Sequence, residues 1–322
     1  MGVAFLTPLG GALAAFALVP LGVYLLRQRR SARIRAALGL RAPSLASRAP
    51  LVLGLAAVPA LLALAAAQPV LERNRHRLER TDAEIWVVVD TSRSMLASAG
   101  PDSPTRFQRA RSFAQAFADA LPEVPIGLAS LTDRVLPHSF PTTDRRVTSA
   151  TLYQSIGIER PGPTISLTGI PTTSYDTLAS VPRYGYFSPT ARKRVLVVLT
   201  DGETRPLETD LAAPFHRGPR LTTILVHFHA GGERVYDDAG LPEAGYQPVR
   251  DSAAKLAQVA REVGGSVFGE QQPGDVVTAV RSALGAGPTH ERLIEGERRA
   301  LMPWVTLAAF LPLGLVLLRR NV

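Results

Sequence analysis

Oxygen-bearing side chains are concentrated in one short stretch of this chain, Asp90-Thr91-Ser92-Arg93-Ser94-Met95. Asp90, Ser92 and Ser94 alternate along it, directly after residues 84–89, a Val-rich run that predicts a strand buried on both faces. Carboxylate and hydroxyl oxygens are ligands of hard divalent cations, which also keep coordination positions open for water or a partner. The stretch therefore predicts part of a cation site where a strand ends and a loop begins.

A second acidic loop follows the clearest strand pattern in the chain. Arg194 to Thr200 is an apolar run, and Asp201-Gly202-Glu203 comes directly after it. In an open parallel sheet, ligands bind at the carboxyl ends of the strands. Because Asp90 and Asp201 both stand at such ends, we expect their carboxylates to converge on one site.

Strand and helix patterns alternate through the middle of the chain, which predicts an α/β fold with a doubly wound, mostly parallel sheet and helices on both faces. The predicted strands are Glu84 to Asp90, Val124 to Leu131, Val135 to Phe140 (a short edge strand), Arg194 to Thr200, Leu221 to Phe228 and Ser266 to Phe268. The predicted helices are Arg106 to Leu121, Thr143 to Ile156, Ser174 to Val181, Ser252 to Val263 and Gly274 to Leu284.

Three long runs, residues 4–26, 51–67 and 301–318, hold no charged residue. A helix needs roughly 20 apolar residues to span a membrane. We therefore expect residues 1–70 to form a membrane region with two transmembrane helices, at about 4–26 and 50–68, joined by an Arg-rich loop. Residues 82–290 should form the α/β domain, and residues 300–318 a C-terminal transmembrane helix.

The positive charge of the chain lies beside these apolar runs. The formal net charge is +9, and residues 27–48 hold seven arginines and no acid, while Arg319 and Arg320 follow the third run. The rest of the chain therefore carries no net charge, which argues against nucleic acid as a partner. Because cytoplasmic loops collect Lys and Arg, the pattern predicts a multi-pass protein of the inner or plasma membrane. Its Arg-rich loop and tail should be cytoplasmic and its α/β domain extracytoplasmic.

The two acidic loops resemble those of von Willebrand factor A (VWA) domains. Asp90 to Met95 is similar to the Asp-x-Ser-x-Ser signature of that family, and Thr200-Asp201-Gly202-Glu203 is similar to its second acidic loop. The resemblance implies the doubly wound sheet and a metal-ion-dependent adhesion site, which usually holds Mg²⁺, with Mn²⁺ or Ca²⁺ as alternatives. It implies Asp90, Ser92, Ser94 and Asp201 as metal ligands, together with a threonine between the two loops. Residues 170–178 align with the family pattern at that threonine and predict Thr172 as the ligand, with Thr173 as the alternative.

The order of the segments also resembles a bacterial family. Two N-terminal spans, an Arg-rich inner loop, a VWA domain and a C-terminal span are similar to the BatA-type aerotolerance proteins. This resemblance implies action with a MoxR-type ATPase and sibling VWA proteins, in envelope stress or protein maturation.

The ligand types favour binding over catalysis. Three hydroxyls contribute no charge, so a dication held by them and two carboxylates favours an incoming Asp or Glu from a partner protein. Hydrolysis or phosphoryl transfer would need a positioned nucleophile or base as well. We therefore predict a binding module that is not an enzyme. The alternatives are a metal-dependent hydrolase or phosphatase of the envelope, and an adhesin for an external ligand.

Three other residues could touch a cation. His227 and His229 lie two apart on a predicted strand and so share a face, but they are expected to be packing or surface residues rather than a zinc pair. Glu203 is expected to cap the segment that follows it.

Overall fold

The computed structural model describes residues 2–39, 45–72, 75–164, 172–294 and 298–320. Its strands are β1 Gly2–Phe5, β2 Pro69–Glu72, β3 Arg75–Arg80, β4 Ala83–Asp90, β5 Ile126–Leu131, β6 Val135–Thr142, β7 Lys193–Thr200, β8 Leu221–His227, β9 Ser266–Gly269, β10 Thr289–Ile294 and β11 Arg298–Ala300. Its α-helices are α1 Leu18–Ala37, α2 Leu45–Ala66, α3 Arg106–Ala120, α4 Arg145–Ala150, α5 Ser180–Arg183, α6 Ala212–His216, α7 Ser252–Val263, α8 Pro273–Leu284 and α9 Met302–Arg320. Short 3₁₀ segments are Pro8–Ala17, Arg93–Leu96 and Tyr175–Ala179, and Thr151–Ser155 is a π-helical turn.

The chain divides into two compact units. One contains residues 1–76 and 293–322, and the other contains residues 77–292. The second unit holds a six-stranded sheet in the order β6-β5-β4-β7-β8-β9. All neighbouring pairs are parallel except β5–β6, so the antiparallel strand lies at an edge. This confirms the predicted α/β class and the predicted edge position of the third strand.

Successive side chains of β4 point to opposite faces of the sheet, where they pack in two separate layers of the core. Ile85, Val87 and Val89 pack in one hydrophobic cluster with side chains of α3 and α8. Trp86 and Val88 point the other way and pack in a second cluster with side chains of α7. Successive side chains of a strand point to opposite faces, so a strand covered on both faces must be apolar throughout. This is the physical reason for the Val-rich run before Asp90.

The strand order places the two acidic loops side by side. β4 pairs with β5 on one side and with β7 on the other, so the chain reverses its direction of travel across the sheet at β4. Such a topological switch point opens a crevice outside the carboxyl ends of the strands. Asp90 ends β4, and Asp201 follows β7 directly, so both residues lie at this crevice.

Helix α3 begins at a capping box. The Thr105 hydroxyl accepts from the backbone N–H of Gln108 at 3.2 Å, and the Gln108 side chain accepts from the Thr105 N–H at 2.9 Å. These two bonds satisfy donors that a helix start leaves unpaired. The cap fixes where α3 begins, and its first residue, Arg106, is completely buried.

The other unit holds the apolar helices. Within the described residues, two helical segments are long and apolar enough to cross a membrane, Pro8–Ala37 and Ala49–Ala66, with mean hydropathy of 2.1 and 2.2. Met302–Leu318 is a shorter apolar helix. The predicted start of the first span at residue 4 differs from the structure, because Gly2–Phe5 forms β1 and pairs with β2. β2 also pairs with β11, and none of these three short strands was predicted from the sequence.

Packing around Trp86 depends on a glycine in the neighbouring strand. A Cβ at Gly127 would lie 2.8 Å from the indole ring of Trp86, which is completely buried and donates its Nε1–H to the Tyr186 carbonyl at 2.9 Å. We expect Gly127→Ala to lower the free energy of unfolding by about 1–3 kcal/mol, the usual cost of overpacking a core.

Denaturant unfolding of the full chain in detergent, followed by tryptophan fluorescence, measures this change. Gly245→Ala is the matched control, because a Cβ there meets no atom within 4 Å. Equal stability of the two variants would show that the indole ring can move aside.

Candidate metal centre

The loop after β4 holds Asp90 in a fixed orientation. Asp90 is completely buried, and its Oδ1 accepts from the Ser92 backbone N–H at 3.0 Å. The Thr91 N–H donates to the Leu131 carbonyl at 2.9 Å, which ties the loop to the end of β5. Ser92 and Ser94 have hydroxyl oxygens 3.0 Å apart. Three predicted ligands, Asp90, Ser92 and Ser94, therefore lie in one loop.

The loop after β7 meets the first loop through a hydroxyl. Thr200 donates its Oγ1–H to Asp90 Oδ2 at 2.6 Å, and the same oxygen accepts from the Gly202 N–H at 3.2 Å. Gly202 has φ of +77°, and a Cβ there would lie 2.7 Å from the Ser252 carbonyl oxygen. Only glycine fits this position without strain. Asp201, which is also completely buried, lies directly before this turn, and its charge contributes to the raised pKa of Asp90.

Of the two candidate threonines, Thr172 and Thr173, the structure places the hydroxyl of Thr173 beside Asp90. Its hydroxyl lies 3.4 Å from Asp90 Oδ1, and the residue is completely buried. Thr172, which the sequence predicted as the ligand, is half-buried, and its carbonyl accepts from Arg205. The Thr173 carbonyl accepts from the Arg205 N–H at 3.0 Å and from the Thr204 hydroxyl at 3.1 Å. These bonds to the second loop hold the backbone of Thr173, whose hydroxyl reaches Asp90, whereas the contact described for Thr172 is to Arg205.

The donor set fits a hard divalent cation. Asp90, Ser92, Ser94, Thr173 and Asp201 present only oxygen atoms, which is the chemistry that Mg²⁺, Mn²⁺ and Ca²⁺ select. Burial raises the pKa of Asp90 from 3.8 to about 7, and the charge of Asp201 adds to this rise. A bound cation would remove that penalty, because it stabilises the ionised form of a buried carboxylate. The residues present therefore fit the metal that the sequence resemblance implies.

Arg106 is a part of the site that the sequence analysis missed. Its Nη1 donates to Asp201 Oδ2 at 3.0 Å and to Glu203 Oε1 at 2.9 Å, and its Nε donates to Glu233 Oε2 at 2.6 Å. A signal was present, because Arg106 lies on the same helical stripe as Ala110, at spacing i and i+4. A charged residue on a buried stripe requires buried partners of opposite charge.

Glu203 supports this arginine instead of capping the following segment. Its Oε1 accepts from Arg106 and also from the Tyr246 hydroxyl at 2.7 Å. Burial raises the pKa of Glu203, and the charge of Asp201 raises it further. The prediction that Glu203 caps the following segment was therefore wrong, because its side chain bonds to Arg106 and Tyr246.

The two histidines pack beside the site. His227 Nε2 bonds to the Asp201 carbonyl at 2.9 Å, and its ring stacks on that of His229 with centroids 5.4 Å apart. Within the described residues there is no group of three or more His, Cys, Asp or Glu side chains that could hold a metal ion. The contacts described for the two rings are this stacking and the bond of His227 to the second acidic loop.

Residues 85–203 match the family model of the von Willebrand factor type A domain. This segment is a VWA domain. The match includes Asp90, Ser92, Ser94, Thr173 and Asp201, and it ends before β8 and β9, which complete the sheet of the same unit. None of the curated proteins compared with this chain matches it significantly.

Several solved structures resemble the chain. An aerotolerance-related membrane protein of Bacteroides fragilis is 18% identical, with a TM-score of 0.49, over 63% of this chain and 98% of that one. The protein BatB of Bacteroides thetaiotaomicron is 18% identical, with a TM-score of 0.45, over 62% and 98%. The manganese-loaded TRAP protein of Plasmodium vivax is 12% identical, with a TM-score of 0.39, over 70% and 83%. Because all three scores are below 0.5, the assignment of the VWA fold depends on the family match and the strand topology.

The raised pKa of Asp90 gives the metal-free VWA domain a distinct pH dependence. The unfolded chain releases this proton near 3.8, whereas the folded chain retains it to about 7. The folded state therefore binds more protons in this range, and the free energy of unfolding should fall as pH rises through it.

Thermal unfolding of the full chain in EDTA, from about pH 5 to about pH 8, tests this linkage against Asp90→Asn, which cannot ionise. Wild type should lose stability relative to Asp90→Asn as pH rises. Parallel pH profiles of the two proteins would contradict the burial argument.

Proposed function

We propose that this chain is a membrane-anchored binding module whose VWA domain holds a divalent cation and docks a partner protein through an Asp or Glu carboxylate. The observation that carries the proposal is the convergence of Asp90, Asp201 and three hydroxyl-bearing residues at the crevice between β4 and β7. We propose Mg²⁺ as the metal, with Mn²⁺ or Ca²⁺ as alternatives. The protein ligands are Asp90, Ser92, Ser94, Thr173 and Asp201.

The exposure of the ligands supports a docking role. Asp90, Ser92 and Thr173 are buried, whereas Ser94 is half-buried. A cation at this position would contact protein ligands on its buried side and could accept a further oxygen on its solvent side. The hydroxyl ligands add no charge, and Asp201 already shares its negative charge with Arg106. The two carboxylates would therefore neutralise the cation incompletely, so an incoming carboxylate would be favoured over a neutral donor.

The surroundings of the site support binding rather than catalysis. The nearest imidazole, His227, is bonded to the Asp201 backbone carbonyl, and burial lowers its pKa. Glu203 is bonded to Arg106 and Tyr246. Among the described residues, these two candidate bases are thus engaged in holding the loops, which supports our proposal that the protein is not an enzyme.

The membrane assignment rests on hydropathy and charge. Pro8–Ala37 and Ala49–Ala66 are apolar enough to span a bilayer, and we propose Met302–Leu318 as a third span. The arginines between residues 27 and 48 support a cytoplasmic position for the intervening loop, and we propose that the VWA domain lies on the opposite side of the membrane.

The resemblance to BatA-type proteins supports a particular set of partners. We propose that the protein acts with a MoxR-type ATPase and sibling VWA proteins in envelope stress or protein maturation. In the proposed topology the Arg-rich loop is the main cytoplasmic surface, so an ATPase contact would involve that loop. A sibling VWA protein would instead meet the extracytoplasmic domain and could supply the carboxylate.

Metal binding tests the proposal directly. Calorimetric titration of the full chain in detergent should show Mg²⁺ or Mn²⁺ binding to wild type and no detectable binding to Asp90→Ala, which removes the central carboxylate. Thr173→Ala should weaken binding by about tenfold or more, the scale on which loss of a supporting group acts. Thr172→Ala should bind like wild type.

Asp119→Ala is the matched control, because this aspartate is exposed on α3 and bonds to Gln115, away from the crevice. If Asp90→Ala and Asp119→Ala bind the metal alike, the site is wrongly assigned. Turnover of generic phosphate or peptide substrates by wild type but not by Asp90→Ala would favour the hydrolase alternative instead.

Reporter fusions test the topology. An alkaline phosphatase fused after Val322 should be inactive and a cytoplasmic reporter active, because the third span returns the chain to the cytoplasm. The control is the same phosphatase fused after Ala300, before that span, which should be active. Phosphatase activity of the Val322 fusion would overturn the charge argument.

A further inference from the structure

Arg106 is a buried cation in direct contact with a proposed metal ligand. The side chain is completely shielded from solvent, and so is that of Asp201, its partner at 3.0 Å. An ion pair of this kind is costly to bury and costly to break, because each partner left alone would be an uncompensated charge. Because Arg106 lies beside the proposed cation site, Asp201 already has a positive partner within the protein.

Three carboxylates share this one guanidinium. Besides Asp201, Arg106 bonds to Glu203 at 2.9 Å and to Glu233 at 2.6 Å. Burial alone would lower the pKa of Arg106, but these anions raise it above its ordinary value. The guanidinium therefore keeps its charge at any physiological pH.

The hydrogen bonds of the guanidinium are uneven. Nε and Nη1 donate to carboxylates, whereas Nη2 is buried and has no hydrogen-bond partner among the described residues. A buried donor without a partner is destabilising. The position of Arg106 is therefore set by the carboxylates around it rather than by the full satisfaction of its own donors.

The two predicted carboxylate ligands differ in what neutralises them. Asp90 accepts from the Ser92 backbone N–H and from the hydroxyls of Thr173 and Thr200, all of which are uncharged donors. Asp201 accepts from a full positive charge. A divalent cation that binds both must compete with Arg106 for Asp201 and must also approach its charge.

We propose that Arg106 is a built-in counter-ion that holds the metal-free site together and lowers its affinity for the metal, so that the cation exchanges instead of remaining permanently bound. This inference rests on the proposed metal site and goes beyond it. Arg106 is a positioning residue, because it acts on the metal through Asp201.

Arg109 offers a matched comparison. It is the next cation along the same helix and bonds to Glu233 at 2.7 Å and to Glu270 at 2.7 Å. Its side chain is 25% exposed. Arg109→Gln removes the same charge as Arg106→Gln from the same network, but leaves the contact between Arg106 and Asp201 in place.

The experiment uses the full chain in detergent, with Mn²⁺ titrated by calorimetry and thermal unfolding measured in EDTA and in excess Mn²⁺. Arg106→Gln should unfold at a lower temperature than wild type in EDTA, yet bind Mn²⁺ about tenfold more tightly, within the usual range of coupling between two sites. Its stabilisation by Mn²⁺ should accordingly exceed that of wild type. Arg106→Lys, which keeps the charge, should remain close to wild type in affinity, and so should Arg109→Gln.

A second variant distinguishes loss of the contact between Arg106 and Asp201 from a change in the net charge of the protein. It also replaces Arg106→Gln as the test if that variant does not fold. The double variant Arg106→Gln/Glu233→Gln removes one positive and one negative charge and replaces a buried ion pair with two amides. It should still bind Mn²⁺ more tightly than wild type. Glu233→Gln alone, which leaves Arg106 beside Asp201 with one fewer competing anion, should bind more weakly than wild type.

The outcomes distinguish the two proposals. If wild type binds Mn²⁺ and neither Arg106→Gln nor the double variant binds it more tightly, Arg106 is only a structural ion partner and the inference fails while the metal site stands. If wild type shows no binding but an Arg106 variant does, the inference holds in its strongest form. If neither wild type nor any Arg106 variant binds, both proposals are overturned.

Discussion

Two buried carboxylates meet where β4 and β7 end, and the cost of keeping both charged is the constraint on which the rest of the VWA domain depends. Removing a carboxylate from water is expensive unless hydrogen bonds or an opposite charge compensate it. Asp201 has Arg106, whereas Asp90 has hydroxyls and a backbone N–H, and its pKa rises to about 7. This asymmetry leaves Asp90 as the carboxylate that a dissolved cation would most stabilise.

The sheet makes that constraint possible. Strands β4 and β7 are apolar on both faces, so they lie in the middle of the sheet and deliver their last residues to the same crevice. Thr200, at the end of β7, donates to Asp90 across the gap between the loops. The positive φ of Gly202 then turns the chain after Asp201, so that the Glu203 backbone N–H donates to Asp201 Oδ1 at 2.9 Å. The buried apolar strands thus form a rigid support that orients the few polar side chains of the site.

Local patterns were sufficient for some of the site and not for the rest. Asp90 and Asp201 could be found because each follows an apolar strand, and the rules for parallel sheets bring strand ends together. The sequence could not decide between Thr172 and Thr173, because neighbouring loop residues carry no periodicity. Residues 165–171, just before them, lie outside the described residues. Arg106 had a signal in its helical stripe, but Glu233 lies 127 residues further along the chain. No local rule pairs side chains over such a distance.

The sequence also did not predict the pairing of β3 with β10. Both strands are rich in charged residues and show no alternation of apolar and polar side chains, so they give no strand signal.

Arg106 has opposite consequences for the metal and for a partner. In the proposed site, an Asp201 already paired with a guanidinium donates less negative charge to the cation than a free carboxylate would. The cation is then held less tightly, but it keeps more of its own charge for a ligand that arrives from outside. A partner carboxylate would therefore interact with positive charge that the protein ligands have not neutralised. By linkage, partner docking must raise the affinity for the metal by the same factor by which the metal raises the affinity for the partner. In the proposed module, the metal and the partner would each bind more weakly when the other is withdrawn.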